Sequence, residues 1–207
     1  ARARGRLHHW GPIHFSMARS RFFQALLASL NTPQMIESIR EDLAKGYSPI
    51  VQMTNTFAAG TDRAIEVAEA EGRGIDTVEA SAKEILRGYL ASQFPVYKLT
   101  TRRQGRKTVV EYVLDANGEP EPCPTATQLR DDLLARLDAV EVPEGPLEQI
   151  LRAFGPDLVA EVTGRRQRLL PDPSGATRLE DRTARDVAHD VKAFMNDAKR
   201  ILVFSTA

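Results

Sequence analysis

Pro49-Ile50-Val51-Gln52-Met53-Thr54 is a short apolar run that suits a buried strand, and the residues before it read as helix. Ser16 has the character of an N-cap, and Ala18, Phe22, Phe23, Leu26, Leu27 and Leu30 form a helical stripe after it. Thr32-Pro33 reads as the opening of a second helix, with proline in the first turn, where its missing N–H costs nothing. Ile36, Ile39 and Leu43 mark the core face of that helix and Gly46 its stop. Helix, helix, strand is the rhythm of an α/β layer. A second run, Ile201-Leu202-Val203-Phe204, is uninterrupted and apolar, as in a strand buried on both faces of a parallel sheet. The expected fold class is therefore mixed α/β.

The middle of the chain has a different character. Residues 66–71 and 76–92 read as helical, with Val78, Ile85, Leu86, Tyr89 and Leu90 on the buried side. β-Branched runs on either side of Arg102-Arg103-Gln104-Gly105-Arg106-Lys107 predict a β-hairpin over 96–114 with a basic tip. Thr125 with Gln128 reads as a capping box for a helix bearing Leu129, Leu133, Leu134 and Leu137. Leu147, Ile150, Leu151 and Phe154 mark a short helix, and Gly155-Pro156 turns the chain into 157–163. Together these segments resemble a compact helix-turn-helix over 147–163, which leads into Gly164-Arg165-Arg166-Gln167-Arg168. A charged helix follows over about 181–197, with Val187, Val191 and Phe194 on one side.

Composition narrows the function. The 207 residues are 42% hydrophobic and 27% charged, which is globular, and 28 basic against 28 acidic residues leave no global field. Attraction to nucleic acid must come from local clusters. Cys123 cannot form an intramolecular disulfide and has no metal-ligand spacing around it, which suits a bystander thiol in a reducing, cytoplasmic compartment. No apolar run approaches the ~20 residues that span a bilayer, so no membrane partner is expected. The chain does not begin with Met and stops just after an apolar run, so both ends are expected to continue in a longer protein. There is no G-x-x-x-x-G-K-[ST] phosphate loop. His8, His9 and His14 lack ligand spacing, and Asp131 and Asp132 fall in the first turns of a helix, where the macrodipole accounts for them. No catalytic residue and no metal ligand is expected. Two basic clusters remain as candidate nucleic-acid contacts: Arg165, Arg166 and Arg168 first, the hairpin tip Arg102, Arg103, Arg106 and Lys107 second.

The segment Gly155-Pro156-Asp157-Leu158-Val159-Ala160-Glu161-Val162-Thr163-Gly164-Arg165-Arg166 resembles a signature of the strawberry notch family. That family consists of large superfamily-two helicase-type ATPases, with bacterial and phage members often linked to DNA methylase modules. Phe22-Phe23-Gln24 through Gly46, then Ile50 through Thr56, resembles the helix-strand lead-in to the second motor lobe. Lys199 through Ala207 resembles the strand that runs into the family's glycine-rich motif. Residues 94–124 lie outside the resemblance.

The resemblance implies a partial RecA-like parallel sheet: 1–60 as the start of the second lobe, 198–207 as its returning strand, and 61–197 as a mainly helical insertion. It implies an ATP-dependent motor that translocates on or remodels nucleic acid, DNA in preference to RNA, of which this chain is a non-catalytic piece. ATP and magnesium are implied for the whole motor and not for the chain, and the first motor lobe is an implied partner. Thr54, Asn55 and Thr56 at one strand end, and Ser205 and Thr206 at another, are implied backbone contacts or inter-lobe linkers, since open α/β sheets bind ligands at strand carboxyl ends. The alternative reading is a non-motor DNA-binding or protein-interaction module built on the 147–168 helix pair.

Overall fold

The computed structural model covers residues 11–54, 81–105, 107–171 and 177–205, with 62, 65, 66, 68, 69, 72, 74 and 78 between them. In chain order the elements are α1 (Gly11–Ala44), β1 (Ile50–Met53), α2 (Lys83–Gln93), β2 (Leu99–Gln104), β3 (Lys107–Tyr112), α3 (Pro124–Asp138) and α4 (Pro146–Phe154). Then come β4 (Val159–Val162), β5 (Gln167–Pro171), β6 (Thr177–Asp181), α5 (Ala184–Met195) and β7 (Ile201–Ser205). Residues 22–84 with 142–207 form one compact unit, and 1–21 with 85–141 a second.

Two helices were expected before β1, and one continuous helix is found, with Pro33 inside it. Proline at 33 removes the amide that would bond the Ser29 carbonyl four residues back. Gln149 of α4 supplies the missing donor: its Nε2 reaches Ser29 O at 3.0 Å and Glu144 O at 2.7 Å. Replacing Gln149 with alanine should cost about 1–3 kcal/mol, the range for orphaning a buried acceptor. In a Pro33→Ala background the restored amide takes the Ser29 carbonyl, so the cost shrinks. Equal costs in both backgrounds, in a denaturation double-mutant cycle, would contradict this role.

The sheet is parallel, in the order β1-β7-β4. Val51 pairs with Val203 on one side, and Glu161 pairs with Val203 on the other. Val51, Met53, Ile201, Val203 and Val159 form one core with Ile36 and Ile39 of α1 and Leu147, Ile150 and Leu151 of α4. This is the expected α/β class, with a partial RecA-like parallel sheet.

The helix-turn-helix over 147–163 is corrected. Its first half is helix α4, but Val159–Val162 is a strand paired in parallel with β7. Gly155, at φ +77, ends α4 in a conformation that favours glycine, and the short Val-Ala-Glu-Val segment then has a strand to pair with. The insertion expected over 61–197 contracts accordingly, because α4, β4 and α5 belong with the sheet and 85–141 form the other unit. Strands β5 and β6 pair antiparallel, with Leu169 opposite Leu179; residues 172–176 fall outside the described residues.

In the second unit the expected hairpin is present: β2 and β3 pair antiparallel, with Arg102 opposite Val109 and Arg103 opposite Thr108. Helix α3 starts one residue before the expected capping box. Pro124 occupies its first turn, Cys123 is the N-cap without a side-chain bond, and Gln128 Nε2 donates to Asp132 instead.

Candidate functional site

Strand β4 lies at one edge of the sheet, and charged side chains take up its outward-facing backbone groups. Glu161 N–H donates to Asp190 Oδ2 (3.0 Å), and Glu161 O accepts from Arg182 Nη2 (2.9 Å). Val159 O accepts from Lys199 Nζ (2.9 Å). Asp190 also accepts from Arg182 (2.9 Å) and Lys199 (2.6 Å), so one carboxylate on α5 joins two cations and a strand amide. Helix α5 is fixed at its start by a reciprocal capping box between Thr183 and Asp186. An edge sealed this way offers no free ladder to another strand.

On the core side, the Glu161 carboxylate is fully buried. Arg165 forks onto it through Nε (2.6 Å) and Nη2 (2.9 Å), Thr163 Oγ1 donates at 2.6 Å, and Arg165 Nη1 bonds Glu148 of α4. Arg168 gives Nη2 to Glu180 (2.8 Å) and holds Nη1 3.6 Å from Glu161. Burial disfavours ionised Glu161, but the hydrogen bonds and charge of Arg165, with Thr163 and Arg182, outweigh it and hold the carboxyl below the usual range. At Asp190, burial is likewise outweighed by bonds from Lys199, the Glu161 amide and Arg182. Burial dominates at Glu148 and pushes that carboxyl up.

These shifts set the acid response. Glu161 and Asp190 have depressed folded-state values, so their contributions are present above the ordinary carboxylate range and are lost as pH falls through the folded values. Glu148, shifted upward, acts in the opposite sense and partly offsets them. The chain should therefore lose stability as pH drops below about 4, the ordinary carboxylate range. In urea titrations across pH, Asp190→Asn should flatten that loss. An unchanged acid slope would contradict the assignment.

The network corrects the leading nucleic-acid candidates. Arg165 and Arg168 each keep only 5% of their surface exposed, and carboxylates take their charge, so they cannot present guanidinium groups to phosphates. Arg166 is exposed, but it lines a groove with Asp62, Glu66 and Asp181. Burial and the neighbouring Glu66 carboxylate push Asp62 up, while Arg165 and Arg166 pull it down. Thr54 is exposed just beyond β1, and Ser205, half-buried, ends β7 opposite Met53, so both stand at the carboxyl end of the sheet. Asn55, Thr56 and Thr206 lie outside the described residues. At the hairpin, Arg102 and Arg103 are exposed; Arg106 and the Lys107 side chain lie outside the described residues.

Sequence reasoning passed over Glu161, Asp190 and Lys199. A usable signal was present: residues 142–207 carry ten basic and ten acidic residues, so the arginines there stand among as many carboxylates. Among the described residues no cluster could hold a metal ion, and no helix is long and apolar enough to cross a membrane.

Residues 145–207 match the family model described as the C-terminal domain on strawberry notch homologues. The chain is similar to strawberry notch homolog 1 of Rattus norvegicus, 22% identical over 269 residues that cover 96% of this chain and 21% of the relative. The human homolog 1 is 32% identical over 91 residues, covering 40% of this chain and 6% of that protein. Strawberry notch of Drosophila melanogaster is 28% identical over 134 residues, covering 57% and 8%. The chain thus spans about a fifth of the rat relative's length, and less of the other two. No solved structure matches. The matched segment runs from α4 through β4 and α5 to β7, the elements that build and seal the parallel sheet, and over these residues the chain is similar to the C-terminal domain of strawberry notch homologues, which supports membership of that family.

Proposed function

We infer that the chain is part of an ATP-dependent, helicase-type motor that translocates on or remodels nucleic acid, with DNA as its substrate. Residues 22–54 and 142–205 are then part of its second lobe. One observation carries the reading: the family-matched residues 145–207 supply two of the three parallel strands, with Ser205 at a carboxyl end, where such sheets hold ligands. On this reading Thr54 and Ser205, at the carboxyl end of the sheet, face nucleic acid or the other lobe. The residues here do not fit a bound nucleotide, because the sequence has no glycine-rich phosphate loop and the buried carboxylate Glu161 is occupied by arginines. Nucleotide and magnesium would be held by sequence outside this chain, chiefly the first lobe. The lone Cys123 suits a reducing cytoplasmic setting.

The test is ATP turnover by the chain alone and by the chain with its flanking coding sequence, each with and without DNA. No turnover alone, and DNA-stimulated turnover in the longer protein, is expected. Turnover by the pure chain, or a longer protein indifferent to nucleic acid, would overturn the reading.

A further inference from the structure

We propose that the β2–β3 ribbon is the surface on which this chain holds a single strand of nucleic acid, Arg102 and Arg103 meeting phosphates and Tyr97 meeting a base. The inference rests on the reading that the chain works on nucleic acid, but not on ATP hydrolysis.

The first support is where positive charge remains uncompensated. In the sheet unit, Arg165, Arg168 and Arg182 are buried against carboxylates. In the other unit, residues 85–141 carry eight basic and eight acidic residues, yet three of those acids are engaged by cations other than Arg102 and Arg103. Asp138 pairs with Arg87 (2.5 Å), Asp131 with Arg130 (2.7 Å), and Glu121 with Lys98 at the base of the ribbon. Arg102 and Arg103 are exposed and have no ion-pair partner among the described residues. The same unit includes residues 1–21, which hold five arginines and no acid, so its net charge favours a polyanion.

The second support is the composition of one ribbon face. In a strand, alternate residues share a face, so Leu99, Thr101 and Arg103 stand together opposite Tyr112, Val110 and Thr108. Tyr97 extends this row: its ring meets Tyr112 edge-on at 5.7 Å and 82° while remaining 42% exposed. Leu99 beside it is 48% exposed. A turn that merely keeps an edge soluble needs charge at its tip and gains nothing from an exposed tyrosine and leucine at its base. A stacking ring at one end of this face and the Arg103 guanidinium at the other suit a single strand, since only unpaired bases present their faces, and Arg102 meets the phosphate backbone from the opposite face of the ribbon. Tyr97 to Arg103 spans about 20 Å at roughly 3.3 Å per residue, long enough for several extended nucleotides.

The test is fluorescence anisotropy of the whole chain with a labelled 20-nucleotide single strand and its duplex, titrated with salt. Arg102→Ala/Arg103→Ala should weaken single-strand binding at least tenfold at low salt. It should also flatten the log–log salt slope by about 1.4, at roughly 0.7 per lost phosphate contact, while Arg102→Lys/Arg103→Lys keeps the slope. Tyr97→Ala should weaken binding about tenfold without changing the slope, within the range for one stacked base, and Tyr97→Phe should bind as wild type. The duplex should bind more weakly than the single strand. Wild-type affinity and slope in the double alanine variant would overturn the ribbon assignment alone. Equal duplex binding, or no effect of Tyr97→Ala in a chain with unchanged circular dichroism, would overturn the single-strand assignment. Failure of the wild type to bind any nucleic acid would overturn this inference and the functional reading together.

Discussion

Arg165→Ala is expected to cost about 3–5 kcal/mol of unfolding free energy, the range for removing one partner of a buried ion pair. The Arg165 side chain is 2% exposed and contacts two carboxylates, Glu161 at 0% and Glu148 at 10%. Removing it leaves both acids in a low-dielectric core, with Arg168 and Arg182 at 3.6 and 3.8 Å as distant compensation for Glu161. Glu148, already pushed up by burial, would lose the guanidinium that pulls it down and would shift further up. Arg165→Lys should fall between wild type and alanine, because an ammonium keeps the charge but loses the two-pronged bond to Glu161. Urea denaturation measures the cost. A variant as stable as wild type but weakened toward DNA would return Arg165 to the nucleic-acid surface.

Asp190→Ala is the second large effect, also about 3–5 kcal/mol, through loss of a buried charge with two cationic partners. The Glu161 amide loses its acceptor, and Arg182 Nη2 and Lys199 Nζ lose their carboxylate while keeping backbone carbonyls. The consequence extends beyond stability, because the Glu161 amide lies on the outer edge of β4 and would become free to pair with another chain. Sedimentation should show self-association that grows with concentration, whereas Asp190→Asn, which keeps an acceptor oxygen, should remain closer to wild type. A monomeric, fully stable Asp190→Ala chain would show that the edge is protected by something other than this network.

Local chemistry made part of this fold legible. Val51 and Met53, Ile201 and Val203, and Leu147, Ile150 and Leu151 each carry their burial pattern in adjacent residues, and all lie in the core as the patterns imply. The hairpin was marked by β-branched runs on both sides of Gly105, whose φ of +65 suits the turn. What escaped depended on partners distant in sequence. Pro33 signals a helix start, and only Gln149, 120 residues from Ser29, explains why the helix continues through it. Val159-Ala160-Glu161-Val162 has too few residues for its periodicity to separate strand from helix, and β7, which decides it, lies about forty residues on. The arginines after it read as a basic cluster because two of their compensating carboxylates, Glu148 and Glu180, are contributed by other elements.

On the proposed assignment, positive charge at 165–182 holds the sheet unit together while the β2–β3 ribbon grips nucleic acid. Hydrogen–deuterium exchange of the chain with and without a saturating single strand tests it most directly. Protection gained over 97–112, with the slow exchange of 159–170 unchanged by the oligonucleotide, is the expected result. New protection confined to 163–168, with the ribbon unaffected, would contradict the account.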